Sequence, residues 1–327
     1  MKCFNIAKVA LVSLIMMLGM AVAQAQNDYP SRPIKLIVGY AAGGPTDVIA
    51  RIVAQELTPI LGQSVVVENR AGANGNIGNE AVANATADGY TILVNTLSLN
   101  VNPLLNPGRV KYDSAKDFAP INLSVILPQY LVVAHDAPFK TVSDLVNKAK
   151  ASPGAVTYGS AGNGGSAHLS AALLAQRSNT KMTHVPFKGN GPALTEVMAG
   201  RVDYMFYPMI GVADLVAQNR LRILSVTTSK RHPDTPNVPT MAEAGYPGFE
   251  EYVGPVGFVA PAGTPANILE KLSNAIGVVM AKPTVLQKLT GLGGVVANMG
   301  PNEYRRWLVQ DQTRWAQLIK QAEIKDE

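Results

Sequence analysis

Apolar residues recur along the chain in two alternating rhythms. Residues 34–40 form a run rich in Ile, Leu and Val, the pattern of a buried strand. Val48, Ile49, Ile52, Val53, Leu57 and Ile60 then recur at helical spacing. Further strands are predicted over residues 64–67, 91–94, 156–158, 182–185, 202–206 and 221–226, with a longer extended stretch over 123–134. Helices are predicted over 142–150 and 166–176, and helical spacing returns at Leu194, Val197 and Met198. A late strand at 254–260 precedes helices at 265–280 and 301–320. Tyr304, Trp307, Leu308, Trp315, Leu318 and Ile319 give the last helix a core-facing stripe. Strands alternating with amphipathic helices predict an α/β fold of parallel sheets covered by helices on both faces. No fixed short repeat or long low-complexity segment interrupts the pattern. The order strand, glycine-rich loop, helix occurs at 34–51 and again at 155–176, which suggests two similar halves, each with its own sheet.

The first residues change this picture. Lys2 and Lys8 precede an apolar run from Val9 to Val22, and Ala21-Val22-Ala23 and Ala23-Gln24-Ala25 each offer a small-x-small cleavage pattern. This is the secretory signal layout, with an uncleaved membrane anchor as the alternative; the run is short for a membrane span of about 20 residues. Removal of residues 1–25 takes the one cysteine, Cys3, with it. Disulfides and Cys-ligated zinc are then excluded, and an exported chain of this length must be held together by its core. The formal charge is +5, and +3 without Lys2 and Lys8. So mild a charge, without basic runs interleaved with aromatics, does not indicate a nucleic-acid partner.

Two loops carry the candidate chemistry. Tyr40-Ala41-Ala42-Gly43-Gly44-Pro45-Thr46-Asp47 leaves a buried strand and enters a helix. Gly43 and Gly44 allow close approach to the backbone, Pro45 suits the first helical position, and Thr46 or Asp47 can cap the helix. The free N–H groups and the positive dipole end at a helix start attract an anion. Gly162-Asn163-Gly164-Gly165-Ser166-Ala167-His168 repeats the arrangement, with Ser166 placed to cap the helix or turn its hydroxyl to a ligand. Each loop alone also reads as an ordinary capped turn, and a lone His168 is more often structural than a ligand contact. Taken as a pair, the loops suggest a shared cleft at the carboxyl ends of the strands, where a carboxylate is gripped from both sides. The polar segment 95–100 follows the strand 91–94, and its hydroxyls at Thr96 and Ser98 are candidates for the same cleft, or belong to a solvated turn.

Other chemistries lose ground. No Lys follows the glycines, so the phosphate loop is absent. Gly162-x-Gly164 lacks the last glycine of the dinucleotide fingerprint, and G-x-S-x-G is absent around Ser160 and Ser166. His135, His168, His184 and His232 have no metal-ligand spacing. Binding is favoured over catalysis, with no cofactor and no metal. A hydrolase using Ser166 and His168 is the weaker alternative.

Several segments have a familiar order. Tyr29-Pro30-Ser31-Arg32-Pro33-Ile34 is followed by Ala42-Gly43-Gly44-Pro45-Thr46-Asp47, then by Val67-Glu68-Asn69-Arg70-x-Gly72-Ala73-x-Gly75. Later come His184-Val185-Pro186-Phe187-Lys188-Gly189 and Pro236-Asn237-Val238-Pro239-Thr240-Met241-x-Glu243-Ala244-Gly245-Tyr246. This series resembles the Bug (TctC-type) extracytoplasmic receptors of tripartite tricarboxylate transporters. The resemblance implies a two-domain, Venus-flytrap periplasmic binding protein with two crossover strands, near 123–134 and 252–260. It implies a signal peptide at 1–25, a discontinuous first domain of 26–127 and 253–327, and a second domain of 128–252. It implies a monomer in the periplasm that delivers a carboxylate to membrane permease subunits; a sensor that docks on a signalling partner is the alternative role. Carried over, the loops 40–47 and 162–168 hold the proximal carboxylate and 96–98 lines the pocket. Many relatives carry Asp after Val-Asp-x-Met-Phe, where this chain has Tyr207. The change puts an amino-acid ligand in doubt, and Tyr40 with Tyr207 is expected to favour a dicarboxylate or an aromatic carboxylate.

Overall fold

The structure is a computed structural model that describes residues 29–324, apart from 188 and 210. The predicted processing segment, residues 1–25, lies outside the described residues. Two sheets organise the chain. The first is six-stranded, in the order β11 (Val295–Met299), β4 (Phe118–Leu127), β10 (Gly254–Pro261), β3 (Thr91–Asn95), β1 (Ile34–Val38), β2 (Val65–Asn69), and the second five-stranded, in the order β7 (Thr183–Pro186), β6 (Thr157–Ser160), β8 (Tyr204–Pro208), β5 (Gln129–Ala134), β9 (Leu221–Val226).

The first sheet begins with β1 (Ile34–Val38), flanked in parallel by β2 (Val65–Asn69) and β3 (Thr91–Asn95). Helix α1 (Pro45–Leu61) covers one face. Its Ile49, Val53 and Leu57 lie one turn apart and pack with Ile34, Leu36 and Val38, while Ile37 joins Leu93 and Tyr304 on the opposite face. β1 is thus buried on both sides, which is why it reads as a continuous apolar run. Burying each such aliphatic side chain contributes about 1.5–3 kcal/mol. Two short helices, α2 (Asn76–Ala83) and α3 (Ser98–Leu105), follow β2 and β3. Neither has a wide apolar stripe, and both were missed by periodicity.

The extended stretch at 123–134 proves to be two strands. β4 (Phe118–Leu127) belongs to the first sheet and β5 (Gln129–Ala134) to the second, with Pro128 between them. The second sheet adds α4 (Val142–Ala151), β6 (Thr157–Ser160), α5 (Ser166–Ser178), β7 (Thr183–Pro186), α6 (Asn190–Met198), β8 (Tyr204–Pro208), α7 (Val212–Ala217) and β9 (Leu221–Val226). β10 (Gly254–Pro261) then returns to the first sheet, between β3 and β4. The tail consists of α8 (Ala266–Ala281), α9 (Pro283–Gly291), β11 (Val295–Met299) and α10 (Pro301–Gln321).

The expectation of parallel sheets holds for β1, β2 and β3 and for β6, β7 and β8, and is corrected for the rest. β10 runs antiparallel to β3 and β4, and β5 antiparallel to β8 and β9. The strands that carry the chain between sheets enter each one against its grain, so both sheets are mixed. α10 joins the two units: Tyr304 packs in the core of the first sheet, Trp315 and Leu318 in that of the second.

Candidate functional site

A cavity of about 740 Å³ lies between the two sheets. From the first unit it is lined by the loop after β1, the 71–75 turn after β2, Thr96 and Leu97, and residues 254–256 of β10. From the second it is lined by Gln129, by Ala161, Gly165 and Ser166 ahead of α5, by residues 189–192 ahead of α6, and by Tyr207 and Pro208 on β8. No described lining residue is charged.

Helix starts from both units therefore meet at one space. In α1 the first intrahelical bond runs from Val48 N–H to Gly44 O, in α5 from Leu169 N–H to Gly165 O, and in α6 from Ala193 N–H to Gly189 O. The N–H groups ahead of each bond have no partner within their helix. They include those of Thr46, Ser166, Asn190 and Gly191. Orphan donors at the positive end of a helix suit an anion without any cationic side chain.

Eight predicted residues stand on this wall: Tyr40, Gly43, Gly44, Thr46, Thr96, Gly165, Ser166 and Tyr207. Tyr40 is tied down, its hydroxyl 3.0 Å from Thr96 Oγ1, and Thr96 Oγ1 is 3.1 Å from Ser98 Oγ. The Tyr207 hydroxyl makes no hydrogen bond to another described residue. Burial raises the phenol pKa of both tyrosines, so both remain donors.

Six predicted residues do not line the cavity, and each has a physical reason. Asp47 is buried behind the first loop. Its Oδ2 accepts from Gly43 N–H and Arg51 Nε, each at 2.9 Å, and its Oδ1 accepts from Asn69 Nδ2 at 2.9 Å. Burial opposes its ionisation, but Arg51, Gly43 and Asn69 together hold the carboxyl below the usual range. It does not cap α1; the cap position is Gly44, and Asp47 reaches back to hold the loop. Ser98 is not in a polar loop but opens α3, where it is buried. Gly162, Asn163 and Gly164 form the back of the second loop. Its N–H groups are largely engaged within it: Gly162 donates to Ser160 Oγ at 3.1 Å, Gly165 to Gly162 O at 3.3 Å and Gly164 to His168 Nδ1 at 3.0 Å. A methyl group on Gly164 would stand 2.6 Å from Leu105 Cδ1 of α3, so this loop is pressed against the opposite unit.

His168 is buried under the loop, its ring parallel to that of His184 at 4.0 Å. Its Nδ1 accepts from Gly164 N–H and it makes no hydrogen bond with Ser166, so the two do not form a nucleophile–base pair. Burial, with His184 alongside, pushes the His168 imidazole down to about 3; burial alone pushes His184 to about 4. Both rings are neutral in the fold, whereas the unfolded chain takes up protons near 6.5. The stability these rings support is present above pH 6.5 and lost as pH falls toward 4. Asp311, pushed up to about 6 by burial, works in the opposite sense and offsets about one histidine. The expected net loss is about 1.4 kcal/mol per pH unit below 6. Thermal denaturation between pH 7 and 4.5 measures it, and a flat midpoint across that range refutes the neutral stacked pair.

Reasoning from sequence missed Gln129, the 71–75 turn and the 189–192 segment. Gln129 had a signal, being with Ser124 one of two polar residues in an otherwise apolar crossing stretch. The turn had one in its density of Gly and Asn. Gly72, Ala73, Asn74 and Gly75 all have positive φ, at 138°, 47°, 49° and 83°. The 71–75 turn is locked by Asn74 Nδ2 donating to Asn102 Oδ1, and Asn102 Nδ2 to Asn74 O, each at 3.1 Å.

No group of acidic, His or Cys residues that could hold a metal occurs among the described residues, and no described helix is long and apolar enough to cross a membrane. Residues 49–324 match the family described as "Tripartite tricarboxylate transporter family receptor". The UPF0065 protein in the tcbD-tcbE intergenic region of Pseudomonas sp. (strain P51) is 40% identical over 325 residues, 97% of this chain and 96% of its own. The structure of R. palustris Rpa4515 with adipate is 33% identical with a TM-score of 0.85, covering 91% of this chain and 99% of that one. MatC from Rhodopseudomonas palustris with bound malate is 31% identical with a TM-score of 0.82, covering 89% and 100%. With two helix-flanked sheets meeting at a cleft and a family match across most of its length, this chain belongs to the tripartite tricarboxylate transporter family of receptors, solute-binding proteins of the two-domain α/β periplasmic type.

Proposed function

We propose that the chain is an exported periplasmic receptor that captures a small dicarboxylate or aromatic carboxylate for membrane permease subunits. The observation that carries this reading is a cavity into which helix starts from both sheets open, whose described lining residues are all uncharged. A carboxylate held by three or four charge-assisted bonds of about 1.5–3 kcal/mol each reaches micromolar affinity after the cost of ordering. Adipate and malate, held by the two R. palustris relatives, are both dicarboxylates. Tyr207 adds a neutral donor and an aromatic face to the wall, which suits a second carboxylate or a ring and gives an ammonium group no carboxylate to pair with. On this reading residues 1–25 are a removed signal, and the protein works as a monomer. Residues 26–127 with 253–327 close on 128–252, which favours the ligand-bound state that a permease recognises.

Isothermal titration with adipate, malate, benzoate and glutamate tests the proposal. Saturable binding of at least one carboxylate without an amino group is expected; binding of glutamate alone, or of none, defeats it. Ser166→Ala should weaken binding by about 1–3 kcal/mol, through loss of a hydroxyl donor. An unchanged affinity removes Ser166 from the site.

A further inference from the structure

Gln129 begins β5, just past the crossing at Pro128, and is 2% exposed. Its backbone is clamped to the return path of the chain. Its N–H donates to Thr227 Oγ1 at 2.8 Å, and its carbonyl accepts from Thr227 N–H at 2.9 Å. Its side chain bridges two serines of α5 that lie one turn apart. Ser170 Oγ donates to Gln129 Oε1 at 2.6 Å, and Gln129 Nε2 donates to Ser166 Oγ at 3.1 Å.

These bonds run in one direction. An amide oxygen only accepts and an amide nitrogen only donates, whereas a serine hydroxyl does either. With a lone pair of Ser166 taken by Gln129, the Ser166 O–H is left to point elsewhere, and Ser166 stands on the cavity wall. A carboxylate only accepts. The opposite amide orientation would consume the Ser166 proton and leave lone pairs facing an anion. Resting on the carboxylate-receptor reading, we infer that Gln129 is a positioning residue. It sets Ser166 as a donor to the ligand and ties that donor to the strand crossing between the two units. Successive bonds from Ser170 through Gln129 to Ser166 polarise one another, which strengthens the last donor in the series.

The test has a ligand-free arm and a binding arm. In the ligand-free protein, the Gln129 side-chain amide is followed by NMR; Ser166→Ala is expected to shift its resonance and speed its exchange with water. In the binding arm, adipate is titrated into wild type, Gln129→Leu, Ser166→Ala and the double variant. Each single change is expected to weaken binding about tenfold, and the double variant to bind no worse than the weaker single one. An amide unmoved by Ser166→Ala, or losses that multiply in the double variant, overturns the inference. If Gln129→Leu does not fold, the near-isosteric Gln129→Glu replaces it. Its carboxylate accepts from both serines, so affinity should fall and recover in part as that carboxyl is protonated; no recovery overturns the role. Failure of wild type to bind adipate counts against the dicarboxylate reading, and the amide resonance then decides the Gln129–Ser166 pairing by itself.

Discussion

Gly39→Ala is expected to weaken carboxylate binding about a hundredfold and to lower the thermal midpoint by roughly 5 °C. Gly39 follows β1 and lines the cavity. A Cβ at this position would stand 2.8 Å from Gly75 Cα and 2.9 Å from Gly75 O. Both are backbone atoms, so no side-chain rotation can relieve the overlap. Gly78 faces the same constraint from the other side, its Cβ falling 2.8 Å from Gly39 Cα. The first loop and the 71–75 turn are therefore in backbone contact, which only glycine permits. Overpacking of this kind costs about 1–3 kcal/mol, sometimes more. Displacing the turn is the direct way to lower that cost, because Ala73 and Asn74 already sit in the left-handed region, at about 1–2 kcal/mol for a residue with a side chain. Asn74 also lies 3.4 Å from the Tyr40 hydroxyl, so a displaced turn moves two walls of the site together. Titration calorimetry alongside thermal denaturation measures both effects. A folded variant with affinity within twofold of wild type shows that this approach does not shape the site.

The parts of this architecture that were legible in the sequence are those written as periodicity. Ile49, Val53 and Leu57 declare α1, and the aromatic stripe of Tyr304 and Trp315 declares α10. The two glycine-rich strand-to-helix loops were legible too, because strand, Gly and helix start are all local signals. Less legible was the direction of each side chain. Asp47 and His168 have the chemistry of ligand contacts, yet each turns back to hold its own loop, since a loop so rich in glycine needs internal partners for its N–H groups. Gln129 and Asn74 act through residues 37 and 28 positions away, at Ser166 and Asn102, and no short window of sequence contains both ends of such a bond. The strand polarity was misread for a similar reason. Alternation of strands and helices says nothing of the two places where the chain leaves one sheet for the other.

Gly257→Ala is expected to cost about 3–5 kcal/mol of stability. Gly257 lies on β10, paired with Asn95 on β3 and Leu123 on β4, in the interior of the six-stranded sheet. A Cβ would stand 2.6 Å from Tyr304 Cζ and 2.9 Å from Tyr304 Cε1. The ring has nowhere to go. It is fully buried, and its hydroxyl accepts from Asn95 Nδ2 at 2.7 Å and donates to Asn95 Oδ1 at 2.9 Å. Accommodating the methyl group means overpacking at about 1–3 kcal/mol, and the ring it pushes back leaves the buried Asn95 amide unpaired at about the same further cost. Because Tyr304 is anchored to α10, withdrawal also pulls on the helix whose Trp315 and Leu318 fill the core of the second unit. Both units should therefore lose stability together, in one transition displaced downward by about 10 °C. Tyr304→Phe, which removes the hydroxyl and adds no volume, should cost less, about 1–3 kcal/mol. Should Gly257→Ala prove milder than Tyr304→Phe, the ring must have room to shift, and the tight contact between β10 and α10 would not be what joins the two cores.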